Sequence, residues 1–241
     1  RWLCDALYLM NIEYDVIPAD PALFASYENI LVPALYSATD EVLNALNEFV
    51  ANGGNMVVTF KSAFSDEHLK IRHDIQPYII NKALGIQYDE FTLPDDVTVT
   101  CGGKSSKARD WMEMVDCTTA TPVAKYEHKH WGVHAAITQN SYGKGRAMYL
   151  ATLFGEDTLI EALKLFFGEQ KNEFDASYPV VIKRGTNMQG EEIIYLLNYS
   201  DDEQTVICHA DGLKKLCDDS TVSAGDYIAL APWDFSILYA D

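Results

Sequence analysis

The chain has 241 residues, enough for two ordinary domains or one large one, and 48% of them are hydrophobic. Against 18 Lys and Arg stand 36 Asp and Glu, a formal net charge of -18 that repels phosphate backbones and anionic bilayers, so neither nucleic acid nor a membrane is an expected partner. The five cysteines (Cys4, Cys101, Cys117, Cys208 and Cys217) are odd in number and form no C-x-x-C pair, which argues against a disulfide framework or zinc ribbon and favours a reducing, cytoplasmic compartment.

Residues 1–11 read as an amphipathic helix, with Leu3, Ala6, Leu7 and Met10 on one face. A chain that opens at Arg1, already inside a helix, is expected to be a piece of something longer. A short strand over 14–17, stopped by Pro18, leads to a second apolar strand over 29–32. Thr39 stands where an N-cap belongs, with Asp40 and Glu41 in the first turn beside the positive end of the helix dipole. The helix it opens is expected to bury Val42, Leu43, Leu46, Phe49 and Val50 and to end at Gly53-Gly54. A strand over 56–60 follows, then a helix over 75–84 capped by Gly85. Further strand-like segments lie at 86–91, 97–101, 123–127, 133–138 and 146–151, with a turn over 140–145 and a last helix over 157–167.

Short β-branched strands alternating with helices predict a parallel sheet covered by helices, so residues 1–175 are expected to form one α/β three-layer domain. Tyr178-Pro179 marks a boundary. Beyond it strands are read at 180–184, 192–199, 204–209, 227–230 and 234–239, with a hairpin turn at 187–190. Residues 178–241 are therefore expected to form a small antiparallel β-sandwich.

The chemistry-bearing patterns are each incomplete. Gly102-Gly103-Lys104-Ser105 looks like half a phosphate-binding loop, but Thr98 stands where the first glycine is required and no strand-to-helix step follows. A nucleophile elbow needs small neighbours around its serine; Ser62 has Lys61 and Ala63, with Phe60 and Phe64 beyond. His128 and His130 would share a face on a strand, a metal-pair geometry, yet Trp131-Gly132 turns the chain before His134. Asp66 and Glu67 are adjacent and point apart, so they cannot flank one glycosidic bond. Tyr199, Trp233 and Phe235 could stack on sugars, but in so small a sandwich they are expected in the core. No catalytic, cofactor-binding or metal residue is assigned.

Several segments, taken in order, resemble glycoside hydrolase family 42 β-galactosidases. They are Tyr14-Asp15-Val16-Ile17-Pro18, the run from Asn29 through Pro33-Ala34-Leu35-Tyr36, Phe49-Val50-Ala51-Asn52-Gly53-Gly54, and Lys61-Ser62 with Asp66-Glu67. Ile137-Thr138-Gln139-Asn140 and Tyr142-Gly143-Lys144-Gly145 continue the likeness. Lys183-Arg184-Gly185-Thr186-Asn187, Tyr195-Leu196-Leu197-Asn198-Tyr199-Ser200 and Ala231-Pro232-Trp233-Asp234 complete it. The stretch 90–125 fits less well. The resemblance implies a class I glutamine amidotransferase-like (flavodoxin-like) middle domain that helps a trimer form, followed by a C-terminal β-sandwich. It also implies a preceding (β/α)8 barrel holding both catalytic glutamates, and no position here matches those. The implied partners are that barrel and two further copies of the chain; the alternative is a free-standing carbohydrate-binding or amidotransferase-like protein. In an open α/β sheet, ligands bind at the carboxyl ends of the strands. Tyr36, Lys61 and Phe64 fall there without a nucleophile or phosphate loop, and are the expected association residues.

Overall fold

The computed structural model describes residues 1–168 and 173–240. They divide into two compact units, one of residues 16–168 and the other of residues 1–15 with the C-terminal residues. In the first unit a seven-stranded sheet runs in the order Asn29–Val32, Asn55–Thr59, Gly145–Leu150, Ala135–Tyr142, Thr121–Glu127, Thr98–Cys101, Lys104–Lys107. Only the first three strands are parallel, with Ile30 beside Met56 and Ala147 beside Met56 on the other side; the remaining four pair antiparallel.

This mixed, mostly β architecture overturns the expected flavodoxin-like, amidotransferase-like three-layer α/β domain. Two causes are visible. Residues 14–17 form no strand, and Val16 is 85% exposed, so Asn29–Val32 becomes the sheet's edge. The helix expected over 75–84 shrinks to Asn81–Leu84. Pro77 lacks an N–H and restricts the residue before it, and Ile79 sits at φ 62°, a left-handed conformation that no continuous helix admits.

The helix Asp40–Ala51 forms where its cap places it, with the Thr39 hydroxyl accepting the Val42 N–H at 3.3 Å. Leu43, Leu46 and Val50 are buried; Val42 and Phe49 are only half-buried. Asn47 is buried instead, its amide donating to the Ile79 carbonyl at 2.9 Å and accepting the Ala83 N–H at 3.2 Å, which meets the polar groups of the short helix. Glu156–Phe167 buries Leu159, Ala162, Leu163 and Phe166.

The other unit carries the helix Trp2–Leu9, which buries Leu3, Ala6 and Leu7, and two antiparallel sheets. The larger runs Val180–Thr186, Glu192–Asn198, Phe235–Ala240, Leu213–Lys215, Thr221–Val222; the smaller runs Phe174–Asp175, Gln204–Cys208, Tyr227–Leu230. One core lies between them, including Ile182, Ile194, Leu196, Val206, Ile228 and Leu238. Asn11, just past the helix, accepts the Ile182 N–H at 3.0 Å and donates to the Val180 carbonyl at 3.1 Å, satisfying the open edge of the first strand.

Candidate functional site

Two loops leave the carboxyl ends of adjacent parallel strands, 33–38 after Asn29–Val32 and 60–66 after Asn55–Thr59. Three non-glycine residues in them adopt left-handed backbone: Ala34 at φ 43°, Lys61 at 61° and Ala63 at 58°. Such residues cost about 1–3 kcal/mol each and persist only where surrounding contacts dictate them. Those contacts are buried polar side chains. The Thr59 hydroxyl accepts the Ala34 N–H at 2.7 Å; the Ser62 hydroxyl accepts the Leu35 N–H at 3.1 Å and donates to the Thr59 carbonyl at 2.7 Å. Ser62 is thus fully buried and engaged in holding the loops, not presented as a nucleophile.

The third contact is Glu113, fully buried at the end of the strand Arg109–Glu113. Its Oε1 accepts the Lys61 N–H at 2.8 Å and the Trp111 indole N–H at 3.0 Å, and its Oε2 accepts the Tyr149 hydroxyl at 2.6 Å. Burial pushes the Glu113 carboxyl above its ordinary range, and the hydrogen bonds from Tyr149, Lys61 and Trp111 pull it part of the way back.

Above this polar layer lies a chain of aromatic rings. Tyr36 stacks on Phe64 at 5.3 Å, Phe64 meets Phe91 edge-on at 5.7 Å, and Phe91 stacks on Trp111 at 4.1 Å. The Lys61 ammonium lies 4.1 Å from the Trp111 ring centroid. Tyr36 is 38% and Phe91 45% exposed. Tyr36, Lys61 and Phe64, expected from the sequence at this edge, are therefore brought into one platform. Phe91, Trp111 and Glu113, which complete it, were not singled out; they sit on the small antiparallel sheet Thr152–Leu153, Arg109–Glu113, Phe91–Thr92.

The other candidate residues lie apart. Gly102 and Gly103, at φ 57° and 78°, make the two-residue turn between Thr98–Cys101 and Lys104–Lys107, a hairpin rather than a phosphate loop. His128 accepts the N–H groups of His130 and Trp131 through its ring, whereas His134 bonds Asp116 at 2.9 Å. Among the described residues no three His, Cys, Asp or Glu side chains converge as metal ligands. Asp66 closes a turn by accepting the N–H groups of His68 and Lys70, and the Lys70 bond above all holds its carboxyl below the usual range. A cavity of about 350 Å³ is lined by Thr119, Thr121, Val123, Gln139, Asn140 and Ser141, none of them an acid or a base. Tyr199, Trp233 and Phe235 are exposed rather than in the core, Trp233 by 62%.

Comparison with known proteins places this architecture. The chain is 25% identical over 229 residues to the β-galactosidase BgaA of Planococcus sp., covering 91% of this chain and 34% of that protein. It is 30% identical over 168 residues to the β-galactosidase BbgII of Bifidobacterium bifidum, covering 66% and 24%. The chain thus spans about a third or less of the length of these relatives. In fold it resembles Gan42B, a family 42 β-galactosidase from G. stearothermophilus, at a TM-score of 0.85 with 22% identity over 99% of this chain and 35% of the other. The family profile described as the β-galactosidase trimerisation domain matches residues 4–173, so the chain belongs to the family of β-galactosidase trimerisation domains.

Proposed function

We propose that this chain is the assembly region of a longer β-galactosidase, in which a catalytic domain elsewhere in the polypeptide hydrolyses terminal β-galactosides and the platform of Tyr36, Lys61 and Phe64 packs against a neighbouring subunit of a trimer. The observation that carries it is the family match over residues 4–173. The exposed ring chain agrees, because aromatic side chains held rigid at a surface are the typical anchors of protein interfaces. Catalysis needs two carboxylates flanking one bond. Asp66 is committed to a turn and Glu113 is buried. On this reading the chain alone leaves a chromogenic β-galactoside intact while the full-length protein cleaves it. Turnover by the repurified chain would defeat the proposal.

A second reading has one observation in its favour: Trp233 stands 62% exposed at a left-handed backbone position, its indole held by Asp201 at 2.8 Å. A fixed, exposed indole can stack on a sugar ring. Titration with a galacto-oligosaccharide, followed through tryptophan emission and repeated on Trp233→Ala, decides it; an unchanged spectrum removes the reading.

A further inference from the structure

Fully buried carboxylates are rare, and one without a cation bonded to it is costly to keep ionised. Glu113 is such a group. The titratable groups facing it are Tyr149 from the strand Gly145–Leu150, and Tyr88. Tyr126 of Thr121–Glu127 bonds the Glu113 backbone carbonyl at 2.9 Å. Lys61 reaches the carboxylate through its backbone, and its ammonium lies over Trp111 instead. The side chain therefore has no ion-pair role to explain it.

Its geometry supplies another. One oxygen, Oε1, takes both the Lys61 N–H and the Trp111 indole N–H. The first bond fixes a residue at φ 61° at the start of the loop that carries Phe64; the second fixes the ring on which Phe91 stacks and over which Lys61 lies. Oε2 ties the same carboxylate to the Tyr149 hydroxyl in the wholly buried middle of the sheet. A single atom thus sets the Phe64 loop and the Trp111 ring against one rigid support. We infer that Glu113 is the positioning residue of the aromatic platform, acting through the reach of its Oε1 acceptor and not through its charge.

The chemistry separates reach from charge. Glu113→Gln keeps the acceptor oxygen where Lys61 and Trp111 need it, while its amide can donate to the Tyr149 hydroxyl, which is able to accept. Glu113→Asp keeps the carboxyl group but draws it back by one methylene, away from both donors. The inference rests on the proposed association surface only for its purpose, not for its geometry.

The test uses the full-length protein carrying this chain. Hydrogen exchange at the Lys61 amide is read by mass spectrometry. The ring environment is read from the fluorine signal of fluorotryptophan-labelled protein, the Trp111 resonance being the one lost in Trp111→Phe. Glu113→Gln is expected to preserve Lys61 protection and the Trp111 signal. Glu113→Asp is expected to lose at least tenfold of the protection and to broaden or shift the signal. Failure of Glu113→Asp to fold while Glu113→Gln folds also supports reach over charge. Loss of protection or of the fold in Glu113→Gln overturns the inference, as does unaltered behaviour in Glu113→Asp. Light scattering on the same samples keeps the two ideas apart: a disordered platform in an intact oligomer would remove the association reading and leave the positioning role standing.

Discussion

At the scale of single residues, the platform rests on polar side chains that sequence reading treats as candidates for chemistry or not at all. Ser62 is one: its hydroxyl bridges two loops, and Ser62→Ala would leave the Leu35 N–H without its acceptor, at a cost of about 1–3 kcal/mol. A fall in denaturant midpoint with an unchanged slope checks this. Glu113 makes a pH prediction. Burial raises its carboxyl above the value it has in the unfolded chain, so folding favours the protonated form. The stability tied to this group is fully present below the ordinary glutamate range and is lost as pH rises through the folded-state value. Wild-type protein should therefore gain stability from Glu113 as pH falls from neutral toward that range. Glu113→Gln should be the more stable form near neutrality and should flatten the profile. Asp66 acts in the opposite sense: its carboxyl is held low by the turn it closes, so its contribution fades only in stronger acid. Melting curves of both proteins across pH test the prediction, and parallel profiles would contradict it.

At the scale of elements, local signals with a clear mechanism translate directly into structure. Thr39 caps Asp40–Ala51 as its place before two acids suggests, and Thr39→Ala should cost about 1 kcal/mol in stability, read from the unfolding midpoint. Gly145 illustrates a requirement the sequence shows less plainly. A Cβ there would run into the carbonyl oxygens of Gly54 and Val50, so Gly145→Ala must force the hairpin strand Gly145–Leu150 away from the end of that helix. A destabilisation above about 1 kcal/mol is expected, with growth in protease sensitivity around 140–146. The readable parts of the fold were those set by neighbours in sequence: caps, glycine turns and buried strands. The amidotransferase-like sheet failed on one non-local and one local ground. Strand 14–17 needed a partner that does not form, and the helix through Pro77 needed a donor that proline lacks. The candidate site divides the same way. Tyr36, Lys61 and Phe64 follow parallel strands, so the carboxyl-edge rule finds them. Phe91, Trp111 and Glu113 arrive from a separate small sheet, and nothing in the sequence distinguishes Glu113 from the other 35 acidic residues of the chain's 36.

At the scale of the whole molecule, the chain covers about a third of its relatives, and the proposed assembly role takes its aromatic surface as the contact. Truncating a hot-spot aromatic at an interface costs about 2 kcal/mol or more, so if both rings are such anchors their loss should raise a subunit dissociation constant by roughly a hundred- to a thousandfold. The most direct measurement is light scattering on the full-length protein across a dilution series, wild type beside the double variant Tyr36→Ala, Phe64→Ala. The account predicts a wild-type trimer at sub-micromolar concentration and a double variant that remains folded but dissociates there. A double variant that stays trimeric throughout would contradict it.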